Sequence, residues 1–260
     1  MNKFFKKAFL LAVFGIVGFL VFYIIPYFTI IRFAFTSEDT GEFVGLFNFI
    51  STSENEFFIL AMKNTLIFSA VSIPLLVIIS YFIVNFTKHL RWGRVFLLLL
   101  FVPVVIPATS ITNFWNTIAP ANNMFSIIML FLWKNIGLAS IIMSAGLKRI
   151  PVEIYDAASI DGANAAQLHR YMILPLMSPV IIFSTLIGFV QSFKIFREIY
   201  LMYHEYVPEA IYMMPSFIFN KFNKLDYTEL SAGTLIFTAI IIFICMIIAG
   251  VYLFYRRYRR

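Results

Sequence analysis

A single cysteine in 260 residues, Cys245, sits inside an apolar run. That excludes an internal disulfide framework or a thiolate metal cluster, and leaves Cys245 reading as a small buried hydrophobe. Charge is scarce as well: 13% of residues are charged against 61% hydrophobic, with 32 phenylalanines. A soluble domain of this length exposes far more charge, so the shortage, together with long uncharged runs, excludes that class and indicates a membrane protein. Acidic residues are the scarcer sign, 13 against 20 basic, for a net charge of +7. The basic excess lies in short clusters at the ends of apolar runs, the distribution of orientation signals, which excludes a nucleic-acid groove. Also missing are a GxxxxGK[ST] phosphate loop, G-x-S-x-G and H-E-x-x-H, and the three histidines, His89, His169 and His204, fall on different loops. The chain therefore has no catalytic set, no metal ligands and no nucleotide site of that kind, and reads as a non-enzyme without a cofactor of its own.

What is there in abundance is hydrophobic length. A helix crossing the hydrocarbon needs about 20 residues. Six runs qualify: Ala8–Ile31, Asn64–Phe86, Val95–Ile118, Met124–Leu147, Pro179–Leu201 and Leu230–Tyr255. The first follows Lys3, Lys6 and Lys7, but its core is too long for a secretory signal and no small-x-small site follows, so it reads as an uncleaved anchor. With the N-terminus inside, 13 of the 20 basic residues fall on the cytoplasmic side, including Lys88, Arg91, Arg94, Lys148, Arg149, Arg170, Arg256, Arg257, Arg259 and Arg260. Only Arg32, Lys63, Lys221 and Lys224 fall outside. The expected architecture is an all-α membrane protein of six transmembrane helices, N-in and C-in, forming one domain over 1–260 with a cytoplasmic loop at 148–178. Two outer loops lean acidic, with Glu38, Asp39, Glu42, Glu54 and Glu56 in one and Glu205, Glu209, Asp226 and Glu229 in the other. They read as solvated surface or as a docking face for an external partner.

Charges inside spans are costly, roughly 2.5–3.5 kcal/mol at mid-membrane even on the lenient insertion scale, and so have a functional default. Lys134 lies about 15 Å into the fourth span at 1.5 Å per residue. Lys194, Arg197 and Glu198 lie in the outer third of the fifth. Arg197 and Glu198 are expected to snorkel to the interface; Glu198 is the only acidic residue in any span. Gln191, Lys194 and Glu198 share a face at i, i+3 and i+7. With Trp133, Asn135 and Ser192 they offer amides, a hydroxyl and an aromatic ring, the mixture a sugar needs. The same groups also serve to hold helices together.

The cytoplasmic loop VEIYDAASIDGANAAQLHRYMILP, Val152 to Pro175, is punctuated as two short helices. Pro151 suits a first helical position, and Ile154, Ala157, Ala158 and Asp161 recur at helical spacing. Gly162 stands where a left-handed cap is needed, and Asn164 with Gln167 forms a capping-box pattern. Leu168, Tyr171 and Met172 carry the second helix towards Leu174-Pro175. Ala157, Ala158 and Ala163 leave little bulk at the apex, and Asp156 and Asp161 offer charge to a basic partner.

Asp156-Ala157-Ala158, Gly162 and Leu174-Pro175 resemble the EAA loop of the membrane subunits of ATP-binding-cassette importers, with the spacing EAA-x3-G-x9-I-x-LP kept. Asp156 stands for the usual Glu and Met172 for the usual Ile. AGLKRIP before the loop, and SFKIFREIYLM and PEAIYMMPSFIFNKFNKLDYTELSAG after it, resemble the carbohydrate-uptake branch, on the side similar to the first maltose-transporter permease subunit. The resemblance implies that Asp156, Ala157, Ala158, Asp161, Gly162, Ala163, Leu174 and Pro175 form the coupling loop that enters a cleft on an ATPase subunit. It implies a substrate pathway near Trp133, Lys134, Asn135, Gln191, Ser192 and Lys194. It further implies a second homologous permease, a dimer of ATP-hydrolysing subunits using ATP and Mg, an extracytoplasmic sugar-binding protein, membrane lipid around the chain, and a prokaryotic plasma membrane. The expected function is ATP-driven sugar import by alternating access. The same architecture for a non-sugar solute, an ion-coupled secondary transporter and a non-transporting scaffold stand as alternatives.

Overall fold

A computed structural model describes residues 3–38, 40–119 and 122–258; Asp39, the Pro120-Ala121 step, Arg259 and Arg260 lie outside the described residues. Helices dominate, and five helical segments are long and apolar enough to cross a membrane, or six if one bent pair counts as a span. The helices are α1 (Lys3–Phe19), α2 (Ile25–Phe35), α3 (Phe47–Glu54), α4 (Glu56–Thr87), α5 (Gly93–Val105), α6 (Ala108–Ile118), α7 (Met124–Leu147), α8 (Val152–Ile160), α9 (Ala165–Leu168), α10 (Leu174–Lys194), α11 (Phe196–Tyr203), α12 (Met214–Asn223) and α13 (Tyr227–Tyr258). Two π-helical turns, Leu20–Ile24 and His169–Ile173, join α1 to α2 and α9 to α10. Each stops two residues before a proline, and the residue between closes it: Ile25 N–H donates to Leu20 and Leu174 N–H to His169. A proline has no N–H and crowds the carbonyl four residues back, and widening the preceding turn relieves that clash without ending the helix.

The third expected span, Val95–Ile118, is not one helix. It breaks at Ile106-Pro107 into α5 and α6, bent by 101°. Ile106 is extended, at φ −68° and ψ 136°, because the residue before a proline is pushed out of the helical region. The fifth, Pro179–Leu201, is interrupted at Ile195, between α10 and α11. Pro151 caps α8 from outside rather than occupying its first turn.

The helices group into two compact units, Met1–Met62 with Met214–Arg260, and Lys63–Met213. In the first, α13 packs on α2, α3 and α12. Phe58 meets Phe217 edge-on, with ring centroids 5.5 Å apart, beside Gly233, where an added Cβ would lie 3.0 Å from the Phe217 ring. The acids of this unit are partly spent on internal contacts. Lys221 binds Asp226 at 2.8 Å and also pairs with Glu229, which accepts from Asn55 Nδ2 at 2.9 Å.

In the second unit, α7 packs against α5 and α10, and α11 against α6. Its core holds Phe68, Leu76, Ile111, Ile127, Leu130, Phe131 and Ile199. The α5–α7 approach is a backbone contact: a Cβ on Gly137 would stand 2.1 Å from the Leu100 carbonyl oxygen. Small residues at such a crossing let helices close where lipid supplies no hydrophobic driving force.

Candidate functional site

Two places in the second unit carry the predicted site residues. The first is the 148–178 loop. Gly162 sits at φ +73°, Gly162 N–H donates to Ser159 and Ala163 N–H donates to Ala158 at 2.9 Å. These are the two bonds of a Schellman cap, and the sharp turn they make is open to glycine at no strain. Asn164 Oδ1 accepts from Gln167 N–H and Gln167 Oε1 accepts from Asn164 N–H, both at 2.9 Å, a complete capping box for α9. The second helix is therefore pinned to the bend from both sides.

The apex differs from the sequence expectation in one respect. Asp156, Ala157, Asp161 and Gly162 are exposed, Ala163 half-buried, Leu174 exposed and Pro175 half-buried, but Ala158 is only 1% exposed. Ala158 therefore packs inward instead of joining a flat outer face. In its place Ile160 stands 86% exposed at the end of α8. The signal was readable, since an isoleucine directly before a polar turn has no partner within its own helix. Beneath the loop, Val84, Met143, Leu147, Ile173 and Met177 form an apolar cluster with Tyr155 and Leu168 against it. Tyr81 Oη and His169 Nδ1 are hydrogen-bonded at 2.5 Å, tying α4 to the π turn. Lys88 lies over the Tyr155 ring, 5.1 Å from its centroid. Burial lowers the pKa of the Lys88 ammonium and raises that of the Tyr155 phenol. The loop thus rests on α4, α7 and α10 at the end of the unit that also carries Lys88 and Lys148.

The second place is a polar cleft of about 200 Å³ lined by Val104, Lys134, Asn135, Gln191, Lys194, Ile195, Arg197 and Glu198. Gln191, Lys194 and Glu198 line it together despite the interruption at Ile195. Glu198 does not snorkel: its side chain is 0% exposed and forms an ion pair with Lys134 of α7, itself part-buried. Placing a carboxylate in a low-dielectric interior demands such a partner. The other Glu198 oxygen, Oε2, is buried without a hydrogen-bond partner. Arg197, by contrast, is exposed, as is Lys194.

Trp133 and Ser192 do not line the cleft. Trp133 stacks on Phe114 and packs at a tilt against Trp115, each at 5.9 Å, and Ser192 is buried with its hydroxyl donating to Phe189 at 2.6 Å. Asn135 is buried too and donates to Phe131 at 2.8 Å. Arg197 and Glu198, set aside in the sequence as interfacial, are the residues the fold adds. The clue was present: a lone acid within the spans needs a basic neighbour, and Lys134 was the one at mid-membrane.

Known proteins are similar to this chain in sequence and in fold. The arabinooligosaccharides transport system permease protein AraP of Bacillus subtilis is 27% identical in an alignment that covers 89% of this chain and 83% of that protein. The sn-glycerol-3-phosphate transport system permease protein UgpA of Yersinia enterocolitica is 30% identical over 178 residues, 59% of this chain and 60% of that one. A chain in the crystal structure of a bacterial alginate ABC transporter in complex with alginate pentasaccharide-bound periplasmic protein shares the fold, with a TM-score of 0.74 at 20% identity over 95% of this chain and 94% of that one. Residues 61–260 match the binding-protein-dependent transport system inner membrane component, and the chain belongs to that family of inner-membrane transport subunits.

Proposed function

We propose that this chain is one membrane-spanning subunit of an ATP-driven carbohydrate importer and has no ATPase site of its own. The observation that carries the reading is the loop at 156–175: an exposed Asp156-Ala157 pair and Ile160 projecting beside a rigid Schellman turn at Gly162. Such a knob suits insertion into a cleft on a separate ATP-hydrolysing subunit. The capping box and the cluster around Ile173 would then transmit the loop's movement to α4, α7 and α10. Lys88 beside Tyr155 puts the basic 88–94 turn at the same end as the loop, which supports placing both in the cytoplasm, N-in and C-in.

Cargo would pass the cleft between α7 and α10. There Gln191 and Lys194 would bond its hydroxyls, and the Glu198–Lys134 pair would fix the wall they belong to. The similarity to an arabinooligosaccharide permease across 89% of the chain favours a sugar over an ion-coupled solute. A second permease half and an extracytoplasmic sugar-binding protein complete the assembly. In the mechanism, ATP-driven closure of the hydrolysing dimer draws the loops together and turns the pathway from one side of the membrane to the other.

The experiment is co-purification of the assembled complex from membranes, with ATPase activity measured against added sugars and binding protein. Sugar-stimulated hydrolysis that Asp156→Lys abolishes supports the reading. Transport by this chain alone without nucleotide, or wild-type stimulation in Asp156→Lys, overturns it.

A further inference from the structure

Beside the coupling loop, between the end of α4, the start of α5 and the end of α7, lies a cavity of about 560 Å³ separate from the cargo cleft, although Val84, Lys88 and Leu147 of its wall also support the loop. Lys88, Arg91, Arg94 and Lys148 line it, and no carboxylate does. Among the described residues none of these four cations has an ion pair with an acid. The turn that gathers them is tight. Gly93 lies so close to Thr87 that an added Cβ would be 2.1 Å from the Thr87 carbonyl oxygen, and Arg91 and Arg94 of the same turn both line the cavity. Burial lowers the pKa of Lys88 here.

The surroundings identify the counter-charge. The floor of the cavity is apolar, with Val84, Leu97 and Leu147, and Trp92 at the rim is well exposed. From the cavity an exposed apolar stripe, Val95, Leu98, Leu99 and Val102, runs down one face of α5 at i, i+3, i+4 and i+7. A free phosphate would use the cations and none of the apolar floor or of the Trp92 rim. An anionic headgroup with acyl chains uses both, and a rim tryptophan suits the depth of the headgroups.

We propose that this cavity is a binding site for an anionic glycerophospholipid, its headgroup phosphate held by Arg91, Arg94 and Lys148 and its chains laid along the α5 stripe. The proposal rests on the reading of the chain as a membrane subunit with this end at the cytoplasmic surface. The site would tie the lipid composition of that leaflet to the packing of the α4–α5 turn against the coupling loop.

The test is native mass spectrometry of the assembled complex in detergent, titrated with phosphatidylglycerol, with phosphatidylcholine, and with phosphatidylglycerol plus millimolar inorganic phosphate. The expected result is retention of phosphatidylglycerol at least tenfold over phosphatidylcholine, undisturbed by phosphate. R91Q/R94Q is expected to weaken retention about 25-fold, fivefold for each charge at ~1 kcal/mol per basic residue. R91K/R94K stays within twofold of the wild type, and Lys148→Gln, at the far wall, gives the single fivefold loss even if the double variant assembles poorly. Equal retention of the two lipids by the wild type overturns the proposal and reduces the cations to orientation signals. Displacement by inorganic phosphate overturns it in favour of a plain anion site. Sugar-stimulated ATPase activity, measured on the same preparation, fails separately if the importer reading is wrong.

Discussion

Two carboxylates of this chain lie in opposite circumstances. Asp156, in the 148–178 loop, is exposed and without an ion pair among the described residues, whereas Glu198 of α11, in the polar cleft, is 0% exposed and paired with Lys134. The bend of the loop is built from local rules, its Schellman and capping-box bonds each within a few residues of the donor, and Asp156 beside it faces water. The cleft is built from residues 64 positions apart, and its charges are tolerable only because they meet. The loop is therefore a part whose shape survives substitution of its contact residues. The cleft is a part in which chemistry and stability are the same interaction.

That contrast can be broken in graded steps. The largest effect is expected from Glu198→Ala, which leaves the part-buried Lys134 ammonium without its partner and costs up to about 3–5 kcal/mol. A thermal-shift assay on the purified complex should show loss of folded protein, and Lys134→Met/Glu198→Leu should recover the midpoint without recovering transport. A double variant as unstable as the single would show that the pair does not hold α11 to α7. Next, Gly137→Val puts a side chain where the Leu100 carbonyl lies 2.1 Å from the added Cβ, an overpacking cost of roughly 1–3 kcal/mol. Its readout is a lowered midpoint with no change in the loop's affinity for the ATPase.

A smaller cost is expected from Gly162→Val, roughly 1–2 kcal/mol of left-handed strain, since an added Cβ there meets open space and only the backbone objects. Gly162→Asn should be tolerated, and the valine variant should couple ATP hydrolysis to transport poorly; equal coupling in both would remove the bend from the mechanism. The smallest effect on the fold belongs to Ile160→Ser. At 86% exposure it touches too little to move the midpoint, yet it should weaken ATPase-subunit binding about tenfold or more, the worth of one buried aliphatic side chain, read by titration of that subunit.

How much of this was readable in advance follows from the range of each interaction. The Gly162 cap and the Asn164–Gln167 capping box depend on residues three to five apart, so letter spacing alone announces them. The helix Met124–Leu147 is likewise bounded by where the apolar run starts and stops. The break at Ile106-Pro107 was legible in principle, because proline restricts its predecessor locally, but the apolar run on either side conceals it from a count of hydrophobic length. Ala158 turning inward was not legible. A helix face becomes inner or outer only when something packs on it, and Ala158 is covered where its neighbour Ala157 is not.

By itself, then, the amino-acid sequence determined the solvent this chain folds in, the number of hydrophobic runs and the local punctuation of the coupling loop. Transfer free energy and backbone sterics act residue by residue and are written in composition and spacing. Only the tertiary structure decided that Glu198 pairs with Lys134, that Trp133 and Ser192 turn away from the cleft, and that four cations surround one cavity. Each of these depends on which helix faces which, and that choice is made by packing between segments distant in the chain, where a single backbone contact such as Gly137 on Leu100 sets the register of everything around it.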